Sequence, residues 1–174
     1  MNRKGFTLIE LLAVIVIMSI VLIIAIPSSI DAYKKSRLKA EDVFVKRLSE
    51  QVDSYITLNV DKLRFNSNVG TKIKPDSNSR EVTVYQDTII VQDLINEKLI
   101  SKSDYINPNN KKQECNINAQ IKIYKDSDLV YCHKIEALSL DCLTDDYIEF
   151  IEEQHGGISN GNPFVVDTCV WRDR

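Results

Sequence analysis

Lys4-Gly5-Phe6-Thr7-Leu8-Ile9-Glu10 (KGFTLIE) opens the stretch of sequence that decides the fold. An apolar run begins within it at Phe6, continues to Ile26 and ends at Pro27. A helix rises about 1.5 Å per residue, so this run spans roughly 30 Å, the thickness of the hydrocarbon core of a bilayer. Because Leu, Ile, Val and Ala dominate every face of the run, we predict a transmembrane helix over residues 6–26.

Glu10 is the one acidic residue in the apolar run. A carboxylate at the centre of a spanning helix costs about 2.5–3.5 kcal/mol, and the cost is smaller near a helix end, where Glu10 lies. An acid in such a run usually has a partner, but no basic residue lies between Phe6 and Ile26. The partner must therefore come from another chain, from the start of the helix itself, or from water.

The KGFTLIE stretch, followed by an apolar run that ends at Pro27, closely resembles the class III signal of type IV prepilins. The wider family also includes the pseudopilins of type II secretion and of competence systems. The resemblance is strong over about the first thirty-five residues and loose beyond them. A small residue, then Phe, then an acid four positions later at the membrane edge is a specific combination.

The resemblance implies a role for three positions. Gly5 would end a short leader, residues 1–5, that a prepilin peptidase removes. Phe6 would become the new N-terminus and would be N-methylated. Glu10 would pair with the Phe6 amine of a neighbouring subunit during filament assembly, which supplies the missing cation. Because both charges would be largely desolvated, this pairing serves register more than raw stability.

Two other interpretations of the N-terminus compete with this one. A secretory signal peptide also has basic residues before an apolar core, but its core is about 7–15 residues long and no A-x-A-like site lies near Pro27. A simple single-pass anchor accounts for the length of the run. It does not account for Gly5, Phe6 and Glu10 together.

The charges on the two sides of the apolar run do not decide its topology. Basic residues lie on both sides of the run: Arg3 and Lys4 precede it, and Lys34, Lys35, Arg37 and Lys39 follow it. The positive-inside rule would therefore place either side in the cytoplasm. The cysteines and the resemblance favour an exported C-terminus. We therefore expect a single-pass protein of the cytoplasmic membrane with its C-terminus outside, and then a filament at the cell surface.

The helical pattern continues beyond Pro27. Apolar residues recur mostly at spacings of three and four, and they are Ile30, Tyr33, Leu38, Val45, Leu48, Val52, Tyr55 and Ile56. Charged residues, among them Glu41, Asp42 and Glu50, occupy the other faces. This periodicity predicts an amphipathic helix over residues 27–60. A proline inside a helix removes one hydrogen bond, so Pro27 should kink it.

Residues 61–174 are expected to form one head domain. Polar, turn-rich segments at 66–68 and 75–79 predict the loop that leaves the helix. Residues 81–85 alternate as a strand would, and residues 91–100 have apolar residues at helical spacing. Residues 119–124 and 129–133 predict a hairpin around a turn at 125–128.

Two further elements are predicted near the C-terminus. Thr144 is a capping residue before an acidic first turn, and the helix it begins should run to about Gln154 and stop at Gly156-Gly157. Residues 164–171 (FVVDTCVW) are rich in β-forming residues and should be the last strand.

The four cysteines are Cys115, Cys132, Cys142 and Cys169. An even number in an exported domain suggests disulfides, and four cysteines allow three connectivities. Pairing sequence neighbours closes the shorter loops, so we expect Cys115–Cys132 and Cys142–Cys169. A zinc site with His133 and His155 as further ligands is the alternative, but no C-x₂-C spacing supports it.

Two other groups of residues could carry chemistry, namely a Cys-His pair and an acidic cluster. Cys132 and His133 would be a nucleophile pair only if adjacent strand residues shared a face, so we expect one buried and one exposed. An acidic cluster comprises Asp141, Asp145, Asp146, Glu149, Glu152 and Glu153. Calcium prefers such carboxylate oxygens, but we interpret the cluster as the solvated face of a helix. The sequence shows no glycine-rich phosphate loop.

The basic run at residues 34–39 allows several partners. It could contact anionic lipid headgroups before assembly, DNA in an uptake filament, or acids of neighbouring subunits. The net charge of the chain is −3, which does not support a dedicated nucleic-acid surface. DNA is therefore the least supported of these partners.

Together these observations predict an α+β protein, with a long N-terminal helix that packs on a small antiparallel β-sheet. The resemblance implies a structural subunit, not an enzyme, and no cofactor or metal. Its partners would be other pilin subunits, a prepilin peptidase, an inner-membrane assembly platform and the membrane before assembly. The alternatives are a pseudopilin of a type II secretion or DNA-uptake system and a membrane-anchored binding domain.

Overall fold

The computed structural model describes residues 7–65, 70–73, 82–154 and 164–169. The chain divides into two compact units, Met1–Lys39 and Ala40–Arg174. The segments predicted as loops at 66–68 and 75–79, the helix stop at 156–157 and the end of the last strand at 171 lie outside the described residues.

The first element is one long helix, α1, which covers Leu8–Leu58. Its first part is rich in Leu, Ile, Val and Ala, and its second part carries the predicted amphipathic pattern. The helix continues through Pro27 and ends two residues before the predicted limit at Val60. A single helical turn at Val60–Lys62 follows it.

Within the described ranges, the sheet contains five antiparallel strands in simple sequence order. The strands are β1 (Thr71–Ile73), β2 (Val82–Ile90), β3 (Gln120–Asp126), β4 (Tyr131–Glu136) and β5 (Phe164–Asp167). Strand β2 is longer than the segment predicted at residues 81–85. The hairpin predicted from residues 119–133 is confirmed as β3 and β4, with Ile123 opposite His133.

In the part of the chain that the structure describes, three short helices connect the strands. They are α2 (Val91–Asn96), α3 (Ala137–Leu140) and α4 (Asp145–Gln154). Helix α4 begins directly after Thr144, whose carbonyl accepts bonds from the N–H groups of Tyr147 and Ile148, so its predicted start is confirmed. Helix α2 is shorter than predicted, because Lys98 adopts a φ of 60° and the Leu99 N–H turns back to the Leu94 carbonyl.

The core of the second unit lies between α1 and one face of the sheet. Five α1 side chains are buried there, namely Val45, Leu48, Val52, Tyr55 and Ile56, as their spacing predicts. The sheet contributes mainly Ile89, Ile121, Ile123 and Ile135. Each such side chain contributes about 1.5–3 kcal/mol when fully buried. The α+β fold with a helix packed on an antiparallel sheet is therefore confirmed. Ile30 and Tyr33, which the pattern assigned to the same face, are exposed.

The disulfides are Cys115–Cys142 and Cys132–Cys169, so the predicted pairing was wrong. Strand register explains the second bridge. Lys134 lies opposite Asp167 across β4 and β5, and the same register brings Cys132 opposite Cys169. Because Cys132 is bonded to Cys169, it is not available to Cys115. Instead, Asn116 next to Cys115 donates its N–H to the Leu140 carbonyl, which brings Cys115 to Cys142.

Candidate functional site

Glu10 is held by the start of its own helix. Its Oε2 accepts hydrogen bonds from the Thr7 N–H at 2.9 Å and from the Thr7 hydroxyl at 2.8 Å. The Glu10 N–H faces the Thr7 Oγ1 at 3.4 Å in return. This reciprocal arrangement is a capping box, which satisfies N–H groups that a helix start leaves without a partner. Of the three partners that the sequence left open for Glu10, the structure provides the start of the helix.

The described side chains that follow Glu10 form an exposed apolar surface. Large side chains between Leu11 and Ile26 are exposed on all sides of α1, including Leu12, Ile15, Met18, Leu22 and Ile26. Exposed apolar area of this extent marks an interaction surface. Among the described residues, no helix combines the length and the apolarity that a membrane crossing requires.

The comparison with known families concerns this N-terminal segment. A family model described as the prokaryotic N-terminal methylation motif matches residues 1–26. The chain carries a class III prepilin signal. Over these residues the chain is similar to the precursors of type IV pilin-like proteins and pseudopilins. No curated protein and no solved structure matches the chain.

The other predicted positions of the prepilin signal are only partly described. Gly5 and Phe6, the predicted cleavage and methylation positions, lie outside the described residues. Pro27 lies within α1, and the kink predicted there stays a prediction. In the basic run, the Arg37 guanidinium lies 5.9 Å from the centre of the Tyr33 ring. A cation over an aromatic face is a stabilising contact within one helix, so this pair does not by itself indicate a ligand.

Glu41 is a buried acid that the sequence assigned to the solvent-facing side of α1. Its side chain is 0% exposed. One carboxylate oxygen accepts from the Asn109 amide at 2.6 Å and the other from the Thr144 hydroxyl at 2.9 Å. Asn109 belongs to the loop after α2, and Thr144 precedes α4. Glu41 therefore joins α1 to two segments of the head through one carboxylate. The sequence offers no signal for this, since helical spacing does not show that a loop and a second helix cover that face.

His133 is a second buried polar residue in the head. Its Nε2 lies 2.9 Å from the Ser49 hydroxyl, and its Nδ1 lies 3.1 Å from Asp53 Oδ1. Its backbone N–H donates to the Thr168 hydroxyl at 2.8 Å. Burial lowers the pKa of His133, although the charge of Asp53 opposes that effect. A neutral ring with its proton on Nδ1 would donate to Asp53 and accept from Ser49.

This order of serine, histidine and aspartate is the connectivity of a hydrolytic triad, but the surroundings do not suit catalysis. His133 is completely buried, so it cannot reach a substrate. Ser49 lies inside α1, where its backbone N–H is committed to the helix, so α1 offers no pair of free N–H groups to an oxyanion. We therefore interpret the cluster as a structural link between α1, β4 and the residue after β5.

Cys132 and His133 are both buried, so the expectation of one buried and one exposed side chain was wrong. His133 faces α1, whereas Cys132 is covered on the other side of the strand by its disulfide to Cys169. All four cysteines are oxidised, which removes them as zinc ligands. Within the described ranges, no group of three or more His, Cys, Asp or Glu side chains is arranged to hold a metal.

Proposed function

We propose that this chain is a structural prepilin that is cleaved after Gly5, N-methylated on Phe6 and assembled into a type IV pilus or a pilus-like filament. The observation that carries the proposal is the class III signal over residues 1–26. Glu10 stands four residues after Phe6, with its carboxylate held at the helix start by Thr7. That geometry supports a role for Glu10 at the N-terminus of a neighbouring subunit.

The assembly step follows from the chemistry of Glu10. Cleavage before Phe6 creates an amine, which is a cation that the precursor lacks at this position. Surrounded by the apolar side chains of packed helices, a lone carboxylate would be costly, and a neighbouring amine offsets that cost. The Thr7 contacts leave Glu10 at the end of the helix, where it can meet that amine. The pairing then sets the axial register between subunits.

We further propose that the chain consists of four segments with different roles. Residues 1–5 are the leader, residues 6–26 are the membrane helix and later the filament core, residues 27–60 are the amphipathic half of the helix, and residues 61–174 are the head. The precursor lies in the cytoplasmic membrane with its head outside, where the prepilin peptidase and the assembly platform act on it. The mature chain then lies in an extracellular filament.

The test of this proposal compares variants of Glu10 by recovery in sheared filaments. Glu10→Ala should be processed normally but should enter filaments poorly, because its neighbour's amine then has no partner. Glu10→Gln keeps the shape and the Thr7 contacts but not the charge, so it should also assemble poorly. Glu149→Ala, which removes an exposed acid on α4, is the matched control and should assemble as the parent chain does.

If Glu10→Ala is recovered in filaments in the same amount as the parent chain, the pairing role of Glu10 is wrong. Class III signals occur in both pilins and pseudopilins, so the signal does not separate them. Recovery of filaments that contain the parent chain does. Filaments on intact cells support a pilus. Their absence, together with loss of a secreted protein or of DNA uptake on deletion, supports a pseudopilin.

A further inference from the structure

The turn between β3 and β4 holds a leucine in a backbone conformation that leucine avoids. Leu129 has a φ of 62° and is 62% exposed. The turn is closed by hydrogen bonds from the Asp126 N–H to the Val130 carbonyl at 3.1 Å and from the Leu129 N–H to the Asp126 carbonyl at 3.3 Å. The Asp126 carboxylate also accepts from the N–H groups of Asp128 and Val130. The left-handed conformation at Leu129 is therefore fixed by the turn.

Leu129 is unfavourable in two respects for the isolated head. A residue with a Cβ is strained in the left-handed region, and glycine or asparagine is the usual occupant of this turn position. A leucine exposed to water also forgoes the stabilisation that burial would provide. Residues held in strained conformations concentrate at functional sites. The turn therefore presents a rigid apolar knob at the end of the hairpin.

A groove of about 520 Å³ lies elsewhere on the same unit, between α1 and the loop after α2. Its apolar lining includes Val43, Phe44, Leu99, Ile100 and Ile106. The groove runs along α1 from Ala40 to Gln51, which is roughly 16 Å of helix. Its volume is several times that of one leucine side chain, so it has room for the residues on either side of a knob.

The rim of the groove carries four exposed charges: Arg47 and Glu50 on α1, and Asp104 and Lys111 on the loop. Within the described part of the chain, none of the four forms an ion pair. Two acids and two bases do not suit a polyanion such as nucleic acid or an anionic lipid surface, which would favour bases alone. The rim suits a protein segment with an apolar centre and a charge beside it.

We propose that the hairpin tip of one copy, with Leu129 at its centre, docks into this groove of a second copy. Asp128 is exposed beside Leu129 and forms no ion pair within the described residues, so it can face Arg47 or Lys111. Because the tip and the groove are different surfaces, each copy can bind one neighbour through each of them. A contact between two different surfaces forms a closed ring or, when the rotation between copies does not close, the open helical array of a filament. The inference rests on the proposed function and assigns the head contact between filament subunits.

Leu129→Gly separates this role from a structural one. Glycine relieves the strain, so the thermal unfolding midpoint should be unchanged or higher. Loss of the knob should lower incorporation into filaments by at least about tenfold, the effect of losing one buried leucine. Leu138→Ala is the matched control, because Leu138 is similarly exposed on the same unit and should not affect incorporation.

Cross-linking maps the contact directly. Benzoylphenylalanine at position 129 should cross-link to residues 40–51 or 99–111 of a second, differently tagged copy, and Val43→Asp in that copy should abolish the product. Cross-links that map elsewhere overturn the inference. So does normal incorporation of Leu129→Gly in cells where the parent chain forms filaments, which leaves the proposed function intact. A parent chain that never enters filaments overturns both.

Discussion

Replacement of Glu41 by alanine should destabilise the head strongly, although the sequence alone places Glu41 on a solvated face. The carboxylate is completely buried and accepts two hydrogen bonds, from the Asn109 amide and the Thr144 hydroxyl. Removal of the acceptor leaves two donors without partners. Each unpaired donor lowers the free energy of unfolding by about 1–3 kcal/mol when no water replaces the lost acceptor. Asn109 and Thr144 are only half-buried, so water can partly replace the carboxylate. We therefore expect a loss of about 2–3 kcal/mol.

The measurement is thermal unfolding of the purified full-length chain in mild detergent, followed by circular dichroism. For a domain of this size, 1 kcal/mol corresponds to about 4 °C, so Glu41→Ala should lower the midpoint by roughly 8–12 °C. Glu41→Gln keeps the volume and one acceptor, and its loss should be about 1 kcal/mol. Glu50→Ala removes an exposed acid from the same helix and should stay within about 0.5 kcal/mol of the parent chain.

The comparison between the two alanine variants decides whether the reasoning holds. If Glu41→Ala unfolds at the same temperature as Glu50→Ala, then Glu41 does not join α1 to the loop and to α4. A Glu41→Gln variant that is less stable than Glu41→Ala would also contradict the hydrogen-bond account, because it would show that acceptor capacity is not what the site requires.

Two further predictions concern the link between α1 and the C-terminal strand. Burial lowers the pKa of His133 below its usual 6.5, so the unfolded chain binds the proton more tightly, and stability should be full above pH 6.5 and fall as the pH decreases below it. His133→Gln should flatten the slope of stability between pH 7 and 5 in urea titrations, and an unchanged slope would count against this assignment. Cys169→Ser opens the bridge to Cys132, which closes a separation of 37 residues, and should cost about 4 kcal/mol by the loop-entropy relation. Equal urea midpoints for the variant and the parent under oxidising conditions would argue that the bridge does not form.

The elements with strong local patterns could be predicted from the sequence. Apolar spacing along α1 located the buried residues from Val45 to Ile56, because a helix repeats its faces at a fixed interval. Alternation located the hairpin of β3 and β4, and Thr144 located the start of α4. Helix α2 was predicted four residues too long, because the pattern does not show that Lys98 would adopt a positive φ and end the helix.

The disulfide pairing and the buried polar residues depend on contacts that are distant in the sequence. Pairing neighbouring cysteines favours shorter loops, but a doubling of loop length changes the closure free energy by only about 0.6 kcal/mol. Strand register, which sets Cys132 opposite Cys169, easily outweighs that preference. Glu41 bonds to Asn109, 68 residues away, and His133 contacts Ser49, 84 residues away, so no local pattern marks either residue as buried.

The central claim is that residues 1–5 are a leader and that the mature chain begins at Phe6. The most direct measurement is the intact mass of the chain recovered from cells that contain an active prepilin peptidase, with its N-terminal peptide sequenced by fragmentation. We predict a chain that begins with N-methylated Phe6 and retains both disulfides. A chain from such cells that still begins at Met1, or that is cut at a different bond, would contradict the account.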